Sequence, residues 1–207
     1  HTFTAALAGA LKNVKQMWYA WQGTYTSCFF MSMMPATWGT DKYVYGLWFV
    51  LAMLLLGIFV LVNVLLTEVL KSKDRWANLA VMSTVAITVV LFMRSAIEGF
   101  FWYNSAVHYT AMHSLGMLYI AGLIKLVYAK NKVTTGLLLV LSMLGALVVG
   151  GVNNVTVLQV LLVMLSIIGF GVIFKKYRVF LLLPALAFYG FGMYKNLSSP
   201  GNAHRML

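Results

Sequence analysis

The sequence predicts an all-α, polytopic transmembrane helix bundle, with about six spans and an amphipathic interfacial helix at its N-terminal end. Two observations predict this class. Of the 207 residues, 62% are hydrophobic and only 9% are charged, whereas soluble domains carry about 45–50% apolar and about 25% charged residues. The apolar residues also form long runs, with short basic clusters between them. These properties exclude an ordinary water-soluble domain, a disordered tail and a nucleic-acid-binding module.

The N-terminal segment, residues 1–43, predicts two helices at the membrane surface. Residues 2–21 place apolar side chains on one helical face, at the i, i+3 and i+4 spacing: Phe3, Leu7, Leu11, Val14, Trp18 and Trp21. Such an amphipathic helix lies in the interface instead of spanning the bilayer, either as an anchor or facing a substrate. The short apolar stretch 27–34, which Pro35 ends, predicts a second, half-buried helix.

Residues 44–194 predict the membrane-spanning bundle. A spanning helix needs about 20 mostly apolar residues, and six stretches qualify or come close: residues 44–66, 76–96, 108–129, 135–149, 155–174 and 179–194. All six are expected to be helices, because the backbone must satisfy its own hydrogen bonds in hydrocarbon and no stretch alternates as barrel strands do. The fourth and sixth stretches are short. Residues 195–207 then follow as a polar loop.

The basic residues predict how these spans are oriented. The net charge is +11, from 15 Lys and Arg against four Asp and Glu. If every stretch crosses once, one end of the bundle carries most of the basic residues: Lys71, Lys73, Arg75, Lys125, Lys130, Lys132, Lys175, Lys176 and Arg178. Because cytoplasmic loops carry an excess of Lys and Arg, this end is predicted to be cytoplasmic. The N-terminal segment, loop 97–107, turn 150–154 and the C-terminal residues are then predicted to lie on the outer face.

Residues 98–109, between the second and third stretches, are the most unusual segment of the chain. They combine four consecutive aromatic residues with an acid and a histidine. Aromatic residues at this depth are typical of the belt at a membrane interface. The alternative is a wall for a sugar or a lipid head group, formed by Trp102 and Tyr103, with Asn104 and His108 as hydrogen-bond donors.

Arg94 and Glu98 form a second candidate feature near the outer end of the second stretch. Their spacing of four residues predicts an ion pair on one helical face. In the functional alternative, Arg94 binds an anionic phosphate through two parallel hydrogen bonds, and Glu98 orients a hydroxyl or a cation.

The turn at residues 150–154 and the C-terminal residues each have a structural and a functional interpretation. Two glycines in the turn allow a positive φ or a close backbone approach, which is typical of a tight hairpin, whereas Asn153 and Asn154 are suited to hydrogen-bonding a ligand. The polar turn after the sixth stretch is either a plain loop or a phosphate contact at the membrane surface. The candidate residues for that contact are Asn202, His204 and Arg205.

No metal or cofactor is predicted, since His108 and His113 do not share a helical face and a zinc site needs three or four protein ligands.

Four short segments of the predicted outer face, taken in order, resemble a bacterial family of polytopic membrane proteins: Trp21-Gln-Gly-Thr-Tyr25, residues 98–109, Gly150-Gly-Val-Asn-Asn154 and Ser199-Pro-Gly-Asn202. That family is similar to the glucosyltransferases that modify O-antigen and to the wider GT-C class. The resemblance implies a multi-pass glycosyltransferase of the bacterial inner membrane. Such an enzyme takes a sugar from a polyprenyl-phosphate-linked donor and transfers it to a cell-envelope glycan or lipid on the non-cytoplasmic side.

The resemblance also implies an acidic motif after a first transmembrane helix, followed by an interfacial helix. Residues 2–21 resemble that interfacial helix, but nothing acidic precedes Asp41. An inverting transfer needs a carboxylate to remove the acceptor proton, a role for which Glu98 is unsuited if it pairs with Arg94. It also needs cationic or polar groups to stabilise the departing phosphate, and Arg94, His204 and Arg205 are the candidates for this second role. Either the chain is an internal piece that begins after the motif, as its start at His1 favours, or the protein lacks the catalytic base.

Two other functions stay open at this point. A transporter or flippase component predicts broken helices with polar residues at the midplane of the membrane, and Asn63, Ser142, Gln159 and Pro184 interrupt the apolar stretches. A non-catalytic membrane subunit predicts seams of small residues between helices. The contrast between plain basic loops and aromatic, glycine- and asparagine-rich outer loops favours the glycosyltransferase.

Overall fold

The structure, a computed structural model, describes residues 2–204, the last of them by its backbone alone. Within this range the chain forms helices and no strand, so the predicted all-α bundle is confirmed. Arg205 and the side chain of His204, two of the predicted site residues, lie outside the described residues.

Two helices precede the bundle, as the apolar pattern predicts. Helix α1 is Phe3–Ala20, and Thr2 caps it by accepting a hydrogen bond from the amide of Ala5 at 3.4 Å. Helix α2 is Tyr25–Ser32. A 3₁₀ turn, Pro35–Trp38, follows shortly after it, because proline cannot continue an α-helix.

Helix α1 contacts the protein through a face that differs in part from the predicted one. Ala10 is buried, and Asn13 donates from Nδ2 to the Oγ of Ser32 on α2 at 2.7 Å. Phe3 and Leu11, which belong to the predicted apolar face, are 64% and 58% exposed. Small and polar residues therefore meet α2, while large apolar side chains stay on the open side, as suits a helix in a membrane interface.

The bundle that follows consists of apolar helices joined by short connections: α3 (Val44–Val64), α4 (Arg75–Leu91), α5 (Tyr103–Ala106), α6 (Met112–Tyr128), α7 (Lys132–Gly150), α8 (Asn154–Ile173), α9 (Leu183–Leu197) and α10 (Pro200–His204). Single π-helical turns extend α3 and flank α5: Leu65–Val69, Ile97–Phe101 and Val107–Ala111. Five continuous segments are long and apolar enough to cross a membrane: Thr40–Val69, Tyr103–Tyr128, Lys132–Gly150, Asn154–Ile173 and Tyr177–Leu197.

The second predicted span is the one that differs. Residues 76–96 were expected to be one helix, but α4 ends at Leu91 and has 17 residues, which makes it a shorter apolar helix. The chain leaves the helical path after Phe92, and the Oγ of Ser95 accepts a hydrogen bond from the amide of Glu98 at 3.3 Å. Ser95 thus caps the next helical turn, as serine does at helix N-termini, and hydropathy alone does not reveal this.

The fourth and sixth spans are longer than their apolar runs. Helix α7 has 19 residues and begins at Lys132, and the segment Tyr177–Leu197 has 21 residues. Both segments continue through polar residues at their ends, Lys132 in the first and Lys195 in the second. Long polar side chains at a span's end reach the interface while the backbone stays helical, so a count of apolar residues underestimates the length.

The packed centre of the bundle lies where α3 meets α6 and where α7 meets α9. Fully buried side chains there include Val50, Leu123 and Tyr189. Helices α7 and α9 approach closely at two glycines, since a Cβ on Gly150 would lie 2.9 Å from the backbone of Gly192. Of the two roles that the sequence leaves open for Gly150, a positive φ or a close backbone approach, the structure has the close approach.

The two ends of the bundle are built from different segments of the chain. At one end, which we call the loop-rich end, α1, α2, residues 92–111, turn 150–154 and residues 197–204 come together. At the opposite, basic end lie residues 70–75, 129–132 and 174–178. Helices α3, α4, α6, α7, α8 and α9 each connect one end to the other, whereas α5 and its π-helical turns lie at the loop-rich end and lead into α6. The predicted alternation of loops between two ends is therefore present in the structure.

Candidate functional site

Helix α2 forms a platform at the loop-rich end. The hydroxyls of Tyr25 and Thr26 donate to the carbonyl oxygens of Leu147 and Val148 at the end of α7, the second at 2.6 Å. Burial raises the pKa of Tyr25 to about 12, since an apolar environment disfavours the charged phenolate. A Cβ on Gly151 would lie 2.2 Å from the Tyr25 ring, so only glycine leaves room for this contact.

The C-terminal residues lock the connection between α1 and α2. Asn202 accepts a hydrogen bond from the amide of Gly23 at 3.2 Å, and its Nδ2 donates to the carbonyl oxygens of Asn196 and Leu197 at 2.8 and 3.2 Å. Ser199 donates from its hydroxyl to the carbonyl oxygen of Trp18. The amide of Asn202, a predicted ligand-binding group, is therefore engaged inside the protein.

Asn196 and Asn153 tie the turn at residues 150–154 to its neighbours. Asn196 is fully buried and donates from Nδ2 to the carbonyl oxygens of Gly150 and Val152 at 3.1 and 3.0 Å. Asn153 caps α8 by accepting from the amide of Thr156 at 2.9 Å, and it donates from Nδ2 to the carbonyl oxygen of His108 at 2.7 Å. The turn is thus a tight hairpin, and Asn153 positions the segment that carries His108.

The four consecutive aromatic residues divide between the interior and the surface. Phe100 and Tyr103 are buried, whereas Phe101 and Trp102 are each 56% exposed. The hydroxyl of Tyr103 donates to the carbonyl oxygen of Phe30 at 3.0 Å. Tyr103 therefore holds the segment against α2. Of the two aromatic residues predicted to contact a ligand, Trp102 and Tyr103, Trp102 is the one that stays accessible.

Three cavities adjoin at the loop-rich end, and Tyr109 borders all of them. The aromatic cavity, of about 360 Å³, lies beneath the junction of α1 and α2 and is lined by Trp21, Gln22, Met31, Glu98, Trp102, Asn104, Ser105, His108 and Tyr109. The arginine cavity, of about 450 Å³, is lined by Met93, Arg94, Ser95, Glu98, Gly99, Ser105, Tyr109 and Thr110. The apolar cavity, of about 300 Å³, lies between α3, α4, α6 and α8 and is lined by Leu54, Val89, Met93, Tyr109, Thr110, His113, Asn153, Val155, Thr156 and Gln159.

The cavities bring together most of the predicted site residues. Glu98, Trp102, Asn104 and His108 line the aromatic cavity. Arg94 shares the arginine cavity with Glu98, and Asn153 lies at the apolar cavity. Three predicted residues do not line these cavities. Tyr103 and Asn202 hydrogen-bond to backbone groups of other segments, and Asn154 is exposed as the first residue of α8.

Arg94 and Glu98 do not form the predicted ion pair. Among the described residues, the ion pair within 4.0 Å joins Lys71 to Glu68 at 3.9 Å. Arg94 lies in the break after α4 and Glu98 in the π-helical turn that follows, so the geometry of an uninterrupted α-helix does not apply to them. Both side chains are exposed and face the same cavity as separate charges.

Sequence reasoning missed several residues of the site. Trp21 was predicted as part of an apolar face, and Gln22, Ser105 and Tyr109 were not singled out, although all four line the aromatic cavity. The sequence did contain a feature that could have singled them out, because these four residues lie within residues 21–25 and 98–109, two of the segments on which the resemblance in the sequence analysis was based. His113 and Gln159 lie deeper, at the apolar cavity, and the sequence gives no sign that α6 and α8 bring them together.

The arrangement offers hydrogen-bonding, aromatic and single charged groups. Within the part of the chain that the structure describes, no group of three or more His, Cys, Asp or Glu side chains lies close enough to hold a metal ion. What the site presents instead is an indole, a carboxylate, an amide and an imidazole around one cavity, with a guanidinium beside it. The amide and the carboxylate can hydrogen-bond hydroxyl groups, and the guanidinium can pair with an anion.

Fold and composition together define an integral membrane protein of the polytopic, all-α class. Comparison of the chain with protein-family models, with curated protein sequences and with solved structures finds no match. What the protein does is therefore argued from the site itself.

Proposed function

We propose that the chain is part of an integral membrane glycosyltransferase. It would transfer a sugar from a polyprenyl-phosphate-linked donor to a cell-envelope glycan or lipid, at the loop-rich end of the bundle. The observation that carries this proposal is the order of the three cavities around Tyr109, from apolar through cationic to polar and aromatic.

The chemistry of each cavity suits one part of such a donor. The apolar cavity, walled by Leu54, Val89 and Val155, suits an isoprenoid chain that enters from the lipid. The arginine cavity adjoins the apolar cavity and contains the guanidinium of Arg94. It suits the phosphate at the end of the isoprenoid chain, because Arg pairs with phosphate through strong charge-assisted hydrogen bonds. The aromatic cavity suits the sugar, since Trp102 offers an apolar face and Asn104 offers an amide.

Glu98 is the carboxylate that this arrangement supplies for proton transfer. It borders the arginine cavity and also the aromatic cavity, where it would reach an acceptor hydroxyl that approaches the sugar on the face opposite the phosphate. In the reaction the acceptor oxygen attacks the anomeric carbon while its proton passes to the carboxylate. The bond between the anomeric carbon and the phosphate oxygen breaks, and the phosphate leaves with the electron pair, stabilised by Arg94.

Two features of the sequence support placing this reaction on the non-cytoplasmic face of a bacterial inner membrane. The basic residues lie at the opposite end of the bundle, which fits a cytoplasmic location of that end. The segments that resemble the glycosyltransferase family all belong to the loop-rich end. Cysteines introduced at Asn104 and Ser72 in the intact membrane should be labelled from opposite sides, and labelling from the same side would overturn this orientation.

Ligand binding gives the most direct test of the three-cavity arrangement. The protein in nanodiscs is titrated with a short-chain polyprenyl-phosphate sugar and, separately, with the same polyprenyl phosphate without sugar. Arg94→Gln should weaken both ligands about tenfold to a hundredfold, as expected for a lost hydrogen bond between charged groups. Trp102→Ala should weaken only the ligand that carries the sugar.

Matched variants at the basic end serve as controls for these two changes. Arg75 is exposed and Trp76 is 81% exposed, so Arg75→Gln and Trp76→Ala remove the same groups far from the cavities. Equal weakening by the control and the site variants would refute the proposal, and so would binding of the polyprenyl phosphate that does not depend on Arg94.

Turnover tests the chemical step separately. Membranes that contain the full-length protein are assayed for transfer of labelled sugar from the lipid-linked donor to endogenous acceptors. Glu98→Gln should abolish transfer while leaving donor binding within about twofold, because the amide keeps the shape of the side chain but takes up no proton. Full transfer by this variant would assign the base to another residue and remove Glu98 from the mechanism.

A further inference from the structure

We propose that the basic end of the bundle binds an anionic phospholipid, independently of the function of the loop-rich end. A cavity of about 310 Å³ opens there between the ends of α3, α6 and α8. Leu65, Ile124 and Phe170 line it from these three elements, and Lys176 stands at its polar edge. We call it the lysine-edged cavity. One acyl chain would occupy the apolar part and the phosphate would contact the lysine.

The cavity opens sideways, towards the lipid. Phe170 and Phe174 line it and are 63% and 67% exposed, and Leu65 and Val69 on the opposite wall are 38% and 45% exposed. In a membrane these side chains face acyl chains. A lipid therefore reaches the cavity by lateral diffusion, without the large opening that a ligand from water would need.

The two walls end in lysines held in an unusual backbone conformation. Lys71, after α3, has φ 58°, and Lys175, after α8, has φ 54°. This left-handed region is unfavourable for residues other than glycine. The amide of Ser72 donates to the carbonyl oxygen of Leu66 at 2.9 Å, and the amide of Lys176 donates to that of Gly171 at 2.7 Å, so both helix ends turn sharply at the rim of the cavity.

These turns bring positive charge to both sides of the cavity. Lys176 lines it directly, and the Nζ of Lys71 lies 4.5 Å from the ring centroid of Tyr128, which is itself a lining residue. Favourable interaction with helix C-termini explains why lysines occur here, but it does not require an open apolar cavity between them. Lys71 is already paired with Glu68 at 3.9 Å, so the charge that a ligand would neutralise is that of Lys176. An anionic lipid supplies both an acyl chain for the cavity and this negative charge, whereas a zwitterionic lipid fills the cavity without neutralising Lys176.

The test uses the protein reconstituted in nanodiscs that contain phosphatidylglycerol or phosphatidylcholine, with retained lipids counted by native mass spectrometry after mild delipidation. The intact protein should retain phosphatidylglycerol in preference to phosphatidylcholine. Lys176→Gln should reduce that preference about fivefold, the effect of one lysine near an anionic surface. Lys176→Arg should keep it.

A second variant fills the cavity instead of changing its charge. Ser166 lines the cavity, and Ser166→Phe should reduce retention of both lipids at this site. Thr84→Phe is the matched control, because Thr84 is also exposed on an apolar helix and its hydroxyl likewise donates to the carbonyl oxygen four residues before it, at 2.8 Å in both cases. Unchanged melting temperatures show that both variants fold.

Three outcomes would overturn the proposal. Lys132→Gln changes an exposed lysine at the same end, and a loss equal to that of Lys176→Gln would show only a diffuse surface charge. Equal retention of both lipids by the intact protein would show that no head group is selected. Retention unaffected by Ser166→Phe would show that the acyl chain lies elsewhere.

Discussion

The two ends of the bundle are held together in different ways. At the loop-rich end, side chains of Tyr25, Asn153, Asn196 and Asn202 reach backbone carbonyls of other segments. At the basic end the connections are short, and Arg178 joins two of them by donating to the carbonyl oxygens of Val127 and Ala129. Lipid gives no hydrophobic drive to hold one helix against another, so close packing and polar contacts fix the geometry. Here the polar contacts concentrate at the loop-rich end, around the aromatic, arginine and apolar cavities.

The largest expected difference in folding free energy is between alanine substitutions at glycines of the two ends. A Cβ on Gly23 would lie 1.8 Å from the carbonyl oxygen of Asn196, whereas one on Gly136 or Gly169 meets nothing within 4 Å. Gly23→Ala should therefore cost about 3 kcal/mol of folding free energy or more. Gly136→Ala and Gly169→Ala should cost nothing, since alanine favours helix over glycine by about 1 kcal/mol. Melting followed by tryptophan fluorescence in detergent measures both, and equal midpoints would contradict the contrast.

The buried amide of Asn196 comes next in size. Asn196→Ala leaves the carbonyl oxygens of Gly150 and Val152 without their donor in the interior, and the expected loss is about 2–3 kcal/mol. Asn154→Ala removes an exposed amide only a few residues from the same turn and should change stability by less than about 0.5 kcal/mol. Urea unfolding in mild detergent distinguishes them. A similar loss in both variants would mean that the hydrogen bonds of Asn196 carry little of the stability of this end.

Replacing Arg178, which joins two connections at the basic end, should have a smaller and more local effect on stability. Arg178 donates from Nε to the carbonyl oxygen of Val127 at 2.9 Å and also reaches Ala129 and Thr135. Lysine lacks this planar set of donors, so Arg178→Lys should cost about 1–2 kcal/mol. Hydrogen exchange should speed up in residues 129–135 and stay unchanged in turn 150–154. Faster exchange in both places would show that the two ends are not independent.

Tyr25→Phe is the mildest change and has a pH signature. Losing one hydrogen bond should cost about 1 kcal/mol. In the folded protein, burial raises the pKa of Tyr25 to about 12 from the usual value of 10.0 for tyrosine. Its contribution to stability is therefore complete below pH 10 and is lost as pH rises towards 12. Melting midpoints of the intact protein should fall over this window more steeply than those of Tyr25→Phe, and parallel curves would contradict the assignment.

The helical class and the positions of the loops could be predicted because hydropathy reports them directly. The end of α4 could not, since it depends on the capping contact between Ser95 and the amide of Glu98, a local hydrogen bond that competes with an apolar run. The contact face of α1 was only partly predictable for a related reason. Asn13 is polar, yet it faces α2 because Ser32 offers a partner there.

Of the candidate site, the residues within one segment could be predicted and the contacts between segments could not. Glu98, Trp102, Asn104 and His108 lie close in sequence, and the structure places them around one cavity. Asn153 and Asn202 have the composition of ligand-binding residues, but their amides are engaged with backbone groups far along the chain. A single sequence does not distinguish a free amide from one that meets a distant carbonyl.

The shortness of α4 has a consequence for the membrane itself. Its 17 residues span about 25 Å at the rise of an α-helix, against a hydrocarbon core of about 30 Å. Leu91 and Phe92 are 73% and 83% exposed, and local thinning of the bilayer is one way in which lipid matches a short helix. The bilayer surface would then dip beside α4, and a lipid arriving there would carry its phosphate down to the level of Arg94.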